Sequence, residues 1–177
     1  MLVTVHLLTQ RLILREFDDA DYDATREIDA DPEILRYRTR QEITPAETRA
    51  FLVQARAEAA EQPRQRYALA VALREGGRLV GQCGLTIANA AYDEAYLWYS
   101  VNRRDWGQGY ATEAASRLLR FGFEDAGLRR IFAECDPDNL ASARVLEKIG
   151  MGPEACEIPG RLRYALTKDS QRMERIR

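Results

Sequence analysis

Histidine is almost missing from this 177-residue chain, His6 being the single one, and cysteine is scarce, with Cys83, Cys135 and Cys156 the only three. No C-x-x-C pair occurs, so a metal cage of thiolates and imidazoles has almost no material, and no metal is expected. Three widely spaced cysteines cannot build a disulfide framework, and their odd number points to a reducing compartment, read here as the cytoplasm. Long apolar runs are missing too: nothing approaches the ~20 consecutive apolar residues of a membrane-spanning helix. The stretch Met1–Gln10 contains His6 and Gln10 and runs at once into Arg11 and Arg15, unlike a secretory signal. No membrane partner is expected. Charge of one sign is not in excess, with 26 basic against 28 acidic residues and a formal net of -2. No broad field therefore favours nucleic acid, and the arginines are dispersed among acids. A nucleophile elbow, G-x-S-x-G, and a P-loop, G-x-x-x-x-G-K-S/T, are both lacking.

What is present is an ordinary globular composition, 46% hydrophobic and 31% charged, long enough to bury roughly 70% of its unfolded surface in a single domain spanning residues 1–177. Alternating apolar residues in 11–17 suggest a first strand, ended by the acidic cluster Asp18, Asp19 and Asp21 that suits a helix start. A helix over 21–29 gives way at Asp31-Pro32 to a short one reaching Leu35. Thr44-Pro45-Ala46-Glu47 reads as a capping box opening a long helix that ends near Pro63. Three strands of an antiparallel meander follow, over 67–73, 79–87 and 94–101, the first pair joined by a turn at Gly76-Gly77. Ala111, Ala114, Ala115, Leu118, Leu119 and Gly122 then fall on one helix face. A strand at 130–135, a helix at 140–149 and two strand candidates within 153–166 complete a mixed α/β layer architecture.

The chemically informative stretch is 101–114, Val-Asn-Arg-Arg-Asp-Trp-Gly-Gln-Gly-Tyr-Ala-Thr-Glu-Ala, a strand, a glycine-bearing loop and a helix. Gly107 and Gly109 let the backbone approach a ligand closely. The first helical turn exposes unpaired N–H groups near the Thr112 hydroxyl, a socket suited to phosphate oxygens, with Arg103 and Arg104 beside it. By itself a G-x-G pair is more often a simple turn. Here the order Arg104-x-x-Gly107-x-Gly109 leading into Tyr110-Ala111-Thr112-Glu113-Ala114 resembles the pyrophosphate loop of the GNAT superfamily of N-acetyltransferases. The fuller string is most similar to the branch of ribosomal-protein N-terminal, or Rim-type, acetyltransferases. Leu8 to Arg15 is similar to that branch's opening strand, and Asn139 to Met151 resembles its second coenzyme-contacting segment.

The resemblance implies a central, mostly antiparallel twisted sheet flanked by helices, with a splayed parallel strand pair holding acetyl-CoA. It implies transfer of an acetyl group to a primary amine of a peptide or small molecule by direct attack, without an enzyme nucleophile. Cofactor contacts are expected along the loop Arg104, Gly107, Gln108, Gly109, Tyr110, Ala111 and Thr112, at the Val101 backbone beside pantetheine, and at Asn139 and Ser142. Asn139 is equally a good helix N-cap. Relatives often carry a tyrosine seven residues after the matching asparagine; here Leu146 stands there, so Ser142 is the expected proton donor. A glutamate common in the branch is replaced by Tyr96, with Glu94 two residues earlier on the same strand face, and these two are the candidate bases. An α-amine, with an ordinary pKa near about 8, needs less help than a lysine near about 10.4, so the missing base favours an α-amine or similarly acidic acceptor. Tyr37, Tyr96 and Trp98 are candidates to line the acceptor cleft, although core packing explains aromatics equally well, and Trp106 shares that ambiguity. Two other readings stand beside this one: a non-catalytic acyl-coenzyme sensor, and, more remotely, a dinucleotide-dependent oxidoreductase. Homodimers are common in such families, but no interface is marked in the sequence.

Overall fold

The computed structural model describes residues 4–38 and 42–170, so the first three residues of the Met1–Gln10 stretch lie outside it. Eight strands form one sheet: β1 (His6–Leu8), β2 (Leu12–Arg15), β3 (Arg66–Leu73), β4 (Leu79–Asn89), β5 (Glu94–Val101), β6 (Arg130–Cys135), β7 (Gly152–Glu154) and β8 (Leu162–Thr167). Among the described residues five α-helices accompany them: α1 (Tyr22–Ala30), α2 (Pro32–Leu35), α3 (Pro45–Ala59), α4 (Tyr110–Glu124) and α5 (Leu140–Lys148). The strand order is β1-β2-β3-β4-β5-β6-β8-β7, and β5 with β6 is the parallel neighbour pair, the other pairings being antiparallel. A doubly wound parallel sheet, which a dinucleotide-dependent oxidoreductase of the type considered above requires, is therefore not what this chain builds.

Local chemistry accounts for most boundaries. Thr44 accepts from the Glu47 N–H while the Glu47 carboxylate receives the Thr44 N–H, so the capping box opens α3 as the sequence predicts. The helix stops at Ala59, four residues before the proline expected to end it. Asp31 caps α2, with Pro32 in its first turn. β1 was not foreseen, because three residues carry too little periodicity to read; it forms by pairing Leu7 with Leu14 of β2.

Helices cover both faces of the sheet, which explains the nearly continuous burial along the middle of β3 and β4. On one face α4 and α5 bury Ala114, Ala115, Leu118, Phe123 and Leu146 against β4, β5 and β6. On the other, α1, α2 and α3 bury Ile28, Ile34, Leu52 and Ala55 against Ala68, Ala70 and Leu79. β5 pairs with β6 only at Glu94↔Arg130, Ala95↔Ile131 and Tyr96↔Phe132. Beyond Tyr96 the two strands part, leaving a gap between 97–101 and 133–135. Arg130 pins the closed end, bonded to Glu94 at 2.6 Å and paired also with Glu154.

Candidate active site

The gap opens into a cavity of about 1230 Å³, reaching from the N-termini of α4 and α5 on one face to α1, α3 and the loop before β8 on the other. Such a volume suits a large ligand together with a second, smaller one. The N–H of Asn102 donates to Val80 on the β4 side at 2.9 Å. Strand alternation therefore turns the main-chain groups of Tyr99 and Val101 toward the gap. The Val101 carbonyl receives the Trp106 indole N–H at 2.8 Å, which leaves its amide as the group available to an incoming chain. Trp106 is half-exposed and lines the cavity.

Gly107 and Gly109 have φ of 75° and 78°, a left-handed backbone that a β-carbon disfavours. Gly109 is also the N-cap of α4 and offers no side-chain cap to the first turn. The first main-chain donor bonded back into the helix is Glu113, to the Gly109 carbonyl at 3.0 Å. The amides of 110–112 thus stand unpaired at the positive end of the helix, a donor set that fits a diphosphate. Gly107, Gly109, Tyr110, Ala111 and Thr112 all line the cavity.

Two residues expected in this socket lie outside the cavity lining. Arg104 is drawn to Glu27 of α1 at 3.1 Å, and Arg103 to Asp31 at 2.9 Å, so both arginines anchor the loop from behind. The side chain of Gln108 points elsewhere, while its carbonyl accepts from Arg11 at 2.9 Å. A carboxylate alongside attracts a guanidinium, and no sequence spacing reveals that carboxylate. Asp105, buried, receives both guanidinium nitrogens of Arg78 at 2.7 and 2.8 Å. The exposed basic side chains that do line the cavity are Arg144 and Lys148, one turn apart on α5.

The turn before β2 clamps the helix start. Glu113 accepts from the Thr9 hydroxyl at 2.6 Å, the Arg11 amide at 2.8 Å and the Arg11 guanidinium at 2.7 Å. Partial burial works against its charge, but these donors outweigh it and hold the Glu113 carboxyl below its ordinary pKa. Two stretches that resemble separate family motifs are therefore one structural unit.

Across the gap, Asn139 caps α5, its side-chain oxygen receiving the Ser142 N–H at 3.0 Å, so the capping role is realised within the cavity lining. The Ser142 hydroxyl meets Tyr99 Oη at 2.8 Å. Tyr99 was missed in the sequence; a tyrosine in register with buried Leu97 needs a hydroxyl partner, and that was the available signal. Burial pushes the Tyr99 phenol well above the ordinary range, with the Ser142 bond a smaller opposing influence, so it keeps its proton near neutrality.

The candidate bases fare differently. Glu94 sits at the closed end of the parallel pair, bound to Arg130, and does not line the cavity. Tyr96 does line it, with its ring 5.5 Å from Phe132. Burial first, then the nearby Glu134, raises its pKa, which keeps it a donor and unsuited to accept a proton at neutral pH. Of the other lining carboxylates, Asp29 accepts from Thr48 at 3.0 Å and Glu134 from Arg163 at 2.5 Å, while Asp136 accepts the Asp138 N–H at 2.9 Å and Asp138 is exposed on the loop before α5. Tyr37 and Trp98 line the other face of the cavity. Trp98 lies over Gly84, where a β-carbon would stand 2.4 Å from the indole, and meets Phe51 edge-on at 6.4 Å. Arg66 stacks on both rings. Among the described residues no group of acidic, histidine and cysteine side chains is arranged to hold a metal, and no helix is long and apolar enough to cross a membrane.

Known proteins share this architecture. The family model for the acetyltransferase (GNAT) domain matches residues 11–152. The chain is 32% identical over 151 residues to the uncharacterized N-acetyltransferase YnaD of Bacillus subtilis (strain 168), covering 85% of this chain and 84% of that one. An acetyltransferase of the GNAT family from Bacillus anthracis matches with a TM-score of 0.81 at 28% identity, over 93% of this chain and 99% of the other. RimJ of Mycobacterium smegmatis, solved with CoA-disulfide, shares the fold with a TM-score of 0.77 at 23% identity, over 98% and 93% of the two chains. Sheet order, motif positions and relatives agree: the chain belongs to the GNAT acetyltransferase family and is an acyltransferase of that type.

Proposed function

We propose that this acetyltransferase takes acetyl-CoA as donor and acetylates an α-amine, or another amine of similarly low pKa, on a peptide or small molecule. The observation carrying the acceptor preference is the state of the two expected bases: Glu94 is bound to Arg130 outside the cavity lining, and buried Tyr96 keeps its proton at neutrality. A lysine-like amine is almost wholly protonated at neutrality and needs such a base; an α-amine is partly neutral and can lose its remaining proton through water.

Each part of the chain has a task in this reading. The unpaired amides of 110–112 hold the diphosphate, and Arg144 and Lys148 lend positive charge across the cavity. The Val101 N–H donates a hydrogen bond to a carbonyl of the pantetheine arm, a strand-like addition to β5 that suits a ligand rich in amides. A main-chain N–H of β5 facing the gap receives the negative charge that develops on the acetyl oxygen. Ser142 returns a proton to the departing sulfur and is itself supplied by Tyr99 at 2.8 Å. No covalent acyl-enzyme is needed: Cys135 lines the cavity, but burial, its main influence, raises the thiol pKa and keeps it protonated.

The test is acetyl-CoA-dependent release of free thiol over a panel of peptides with free N-termini, amino acids, polyamines and aminoglycosides. Peptide or amino-acid α-amines should be turned over fastest, with a rate that rises up to about pH 8 as the acceptor deprotonates. Efficient turnover of a lysine side chain at neutral pH would contradict the acceptor assignment.

A further inference from the structure

The face of the cavity beneath α1 and α3 contains a polar group with nothing to bond. Gln82 of β4 lies opposite Ser100 of β5, in register with the strand face that carries Trp98 and Tyr96. Its side chain lines the cavity, is only 5% exposed, and its Oε1 is enclosed without a hydrogen-bond partner. The other two such atoms among the described residues differ from it. Glu58 still has Arg66 at 3.6 Å, and Thr25 does not line the cavity. A buried carbonyl oxygen left unpaired costs stability, and methionine or leucine would fill the same place without that cost. Nothing in the packing calls for an amide here.

We propose that Gln82 is an acceptor-binding residue whose Oε1 receives an N–H of the incoming amine and holds its nitrogen beside the gap at Ser100 and Val101. The proposal rests on the acetyl-transfer reading and adds to it the group that meets the nucleophile. An amide suits this position better than a carboxylate. A negative charge would raise the pKa of the bound amine and keep it as an ammonium without a free lone pair, whereas a neutral oxygen accepts the N–H and leaves the lone pair free to attack. The site therefore selects primary amines that arrive uncharged. The rings of Phe51 and Trp98 on the same face offer a place for an apolar or aromatic substituent next to the amine.

The test compares wild type with Gln82→Met, using phenylalaninamide as the probe and the rest of the amine panel in parallel. In the ligand-free protein, Gln82→Met should raise the thermal midpoint by about 2–4 °C, because an unsatisfied polar atom has been replaced by an apolar group of similar size. In turnover, KM for the amine should rise at least roughly tenfold, the worth of one lost hydrogen bond, while KM for acetyl-CoA stays within about twofold. A fall in the midpoint would show that Oε1 serves the fold, and would overturn the proposal. So would an unchanged amine KM in a variant that still turns over. If the wild type binds coenzyme A in a calorimeter yet acetylates no amine of the panel, the transfer reading fails and this proposal with it, a result distinct from failure of the variant alone.

Discussion

In the proposed reading, Ser142 and Tyr99 take the part of the tyrosine that the family resemblance places where this chain has Leu146. Leu146 is 1% exposed and belongs to the core against the sheet, so the phenol arrives from β5, across a sequence separation of 43 residues. Because burial raises the Tyr99 pKa above the ordinary tyrosine value, the pair stays protonated through neutrality and should not itself impose an alkaline fall below that value. Ser142→Ala and Tyr99→Phe should each lower kcat by roughly 100-fold, the usual contribution of one general acid. Coenzyme A affinity should stay within about twofold, and the double variant should be little worse than either single one, since the two hydroxyls act as a unit. Steady-state kinetics with calorimetric coenzyme binding decides this. Full additivity would separate the two hydroxyls, and an unchanged kcat in Ser142→Ala would remove its role as acid.

The start of α4 depends on an element far from it in sequence, the turn between β1 and β2. Glu113 gathers donors from Thr9 and Arg11 and fixes the helix end whose free amides define the socket. Its pKa is lowered in the folded state, so its stabilisation is fully present above the unfolded carboxylate value and is lost as pH falls through the lower folded value. Glu113→Gln should cost about 1–2 kcal/mol at pH 7, discounted because Arg11 is half-exposed, and the gap to wild type in thermal midpoint should close below about pH 4. A pH-independent gap would mean that shape, not charge, supports the helix end. This clamp also marks how far the sequence can be read. Features written in adjacent residues were legible: the Thr44/Glu47 box, the Gly76-Gly77 turn, the apolar face from Ala114 to Gly122, and the loop glycines with positive φ. Features set by remote partners were not. The pairing of Arg104 with Glu27 and that of Glu94 with Arg130 join residues far apart in the chain, so neither is visible in the local sequence. Gln82, flanked by small residues in an ordinary strand, gives no local sign that its oxygen ends up enclosed and unpaired.

At the scale of the whole molecule, the sheet is two ladders leaning on a short seam. β1 to β5 form one, β6, β8 and β7 the other, and three residue pairs beginning at Glu94↔Arg130 join them. The open end of the seam is bridged by side chains, chiefly Tyr99 on Ser142, and by α4 and α5 packed across it. A ligand that bonds to β5, to the start of α4 and to α5 adds a third connection and should suppress the separation of the ladders. Amide exchange followed by mass spectrometry measures this directly. With coenzyme A at 100 times its Kd, exchange at 133–135 and in the first turn of α5 should slow by up to about 100-fold, the limit set by ligand linkage. The seam residues 94–96, already paired, should hardly change. Gly109→Val should abolish the effect, because a branched side chain at φ 78° strains the turn that presents the amides of 110–112. Protection confined to 107–112 would show that the coenzyme is held by the loop alone and that the two ladders need no bridge to stay together.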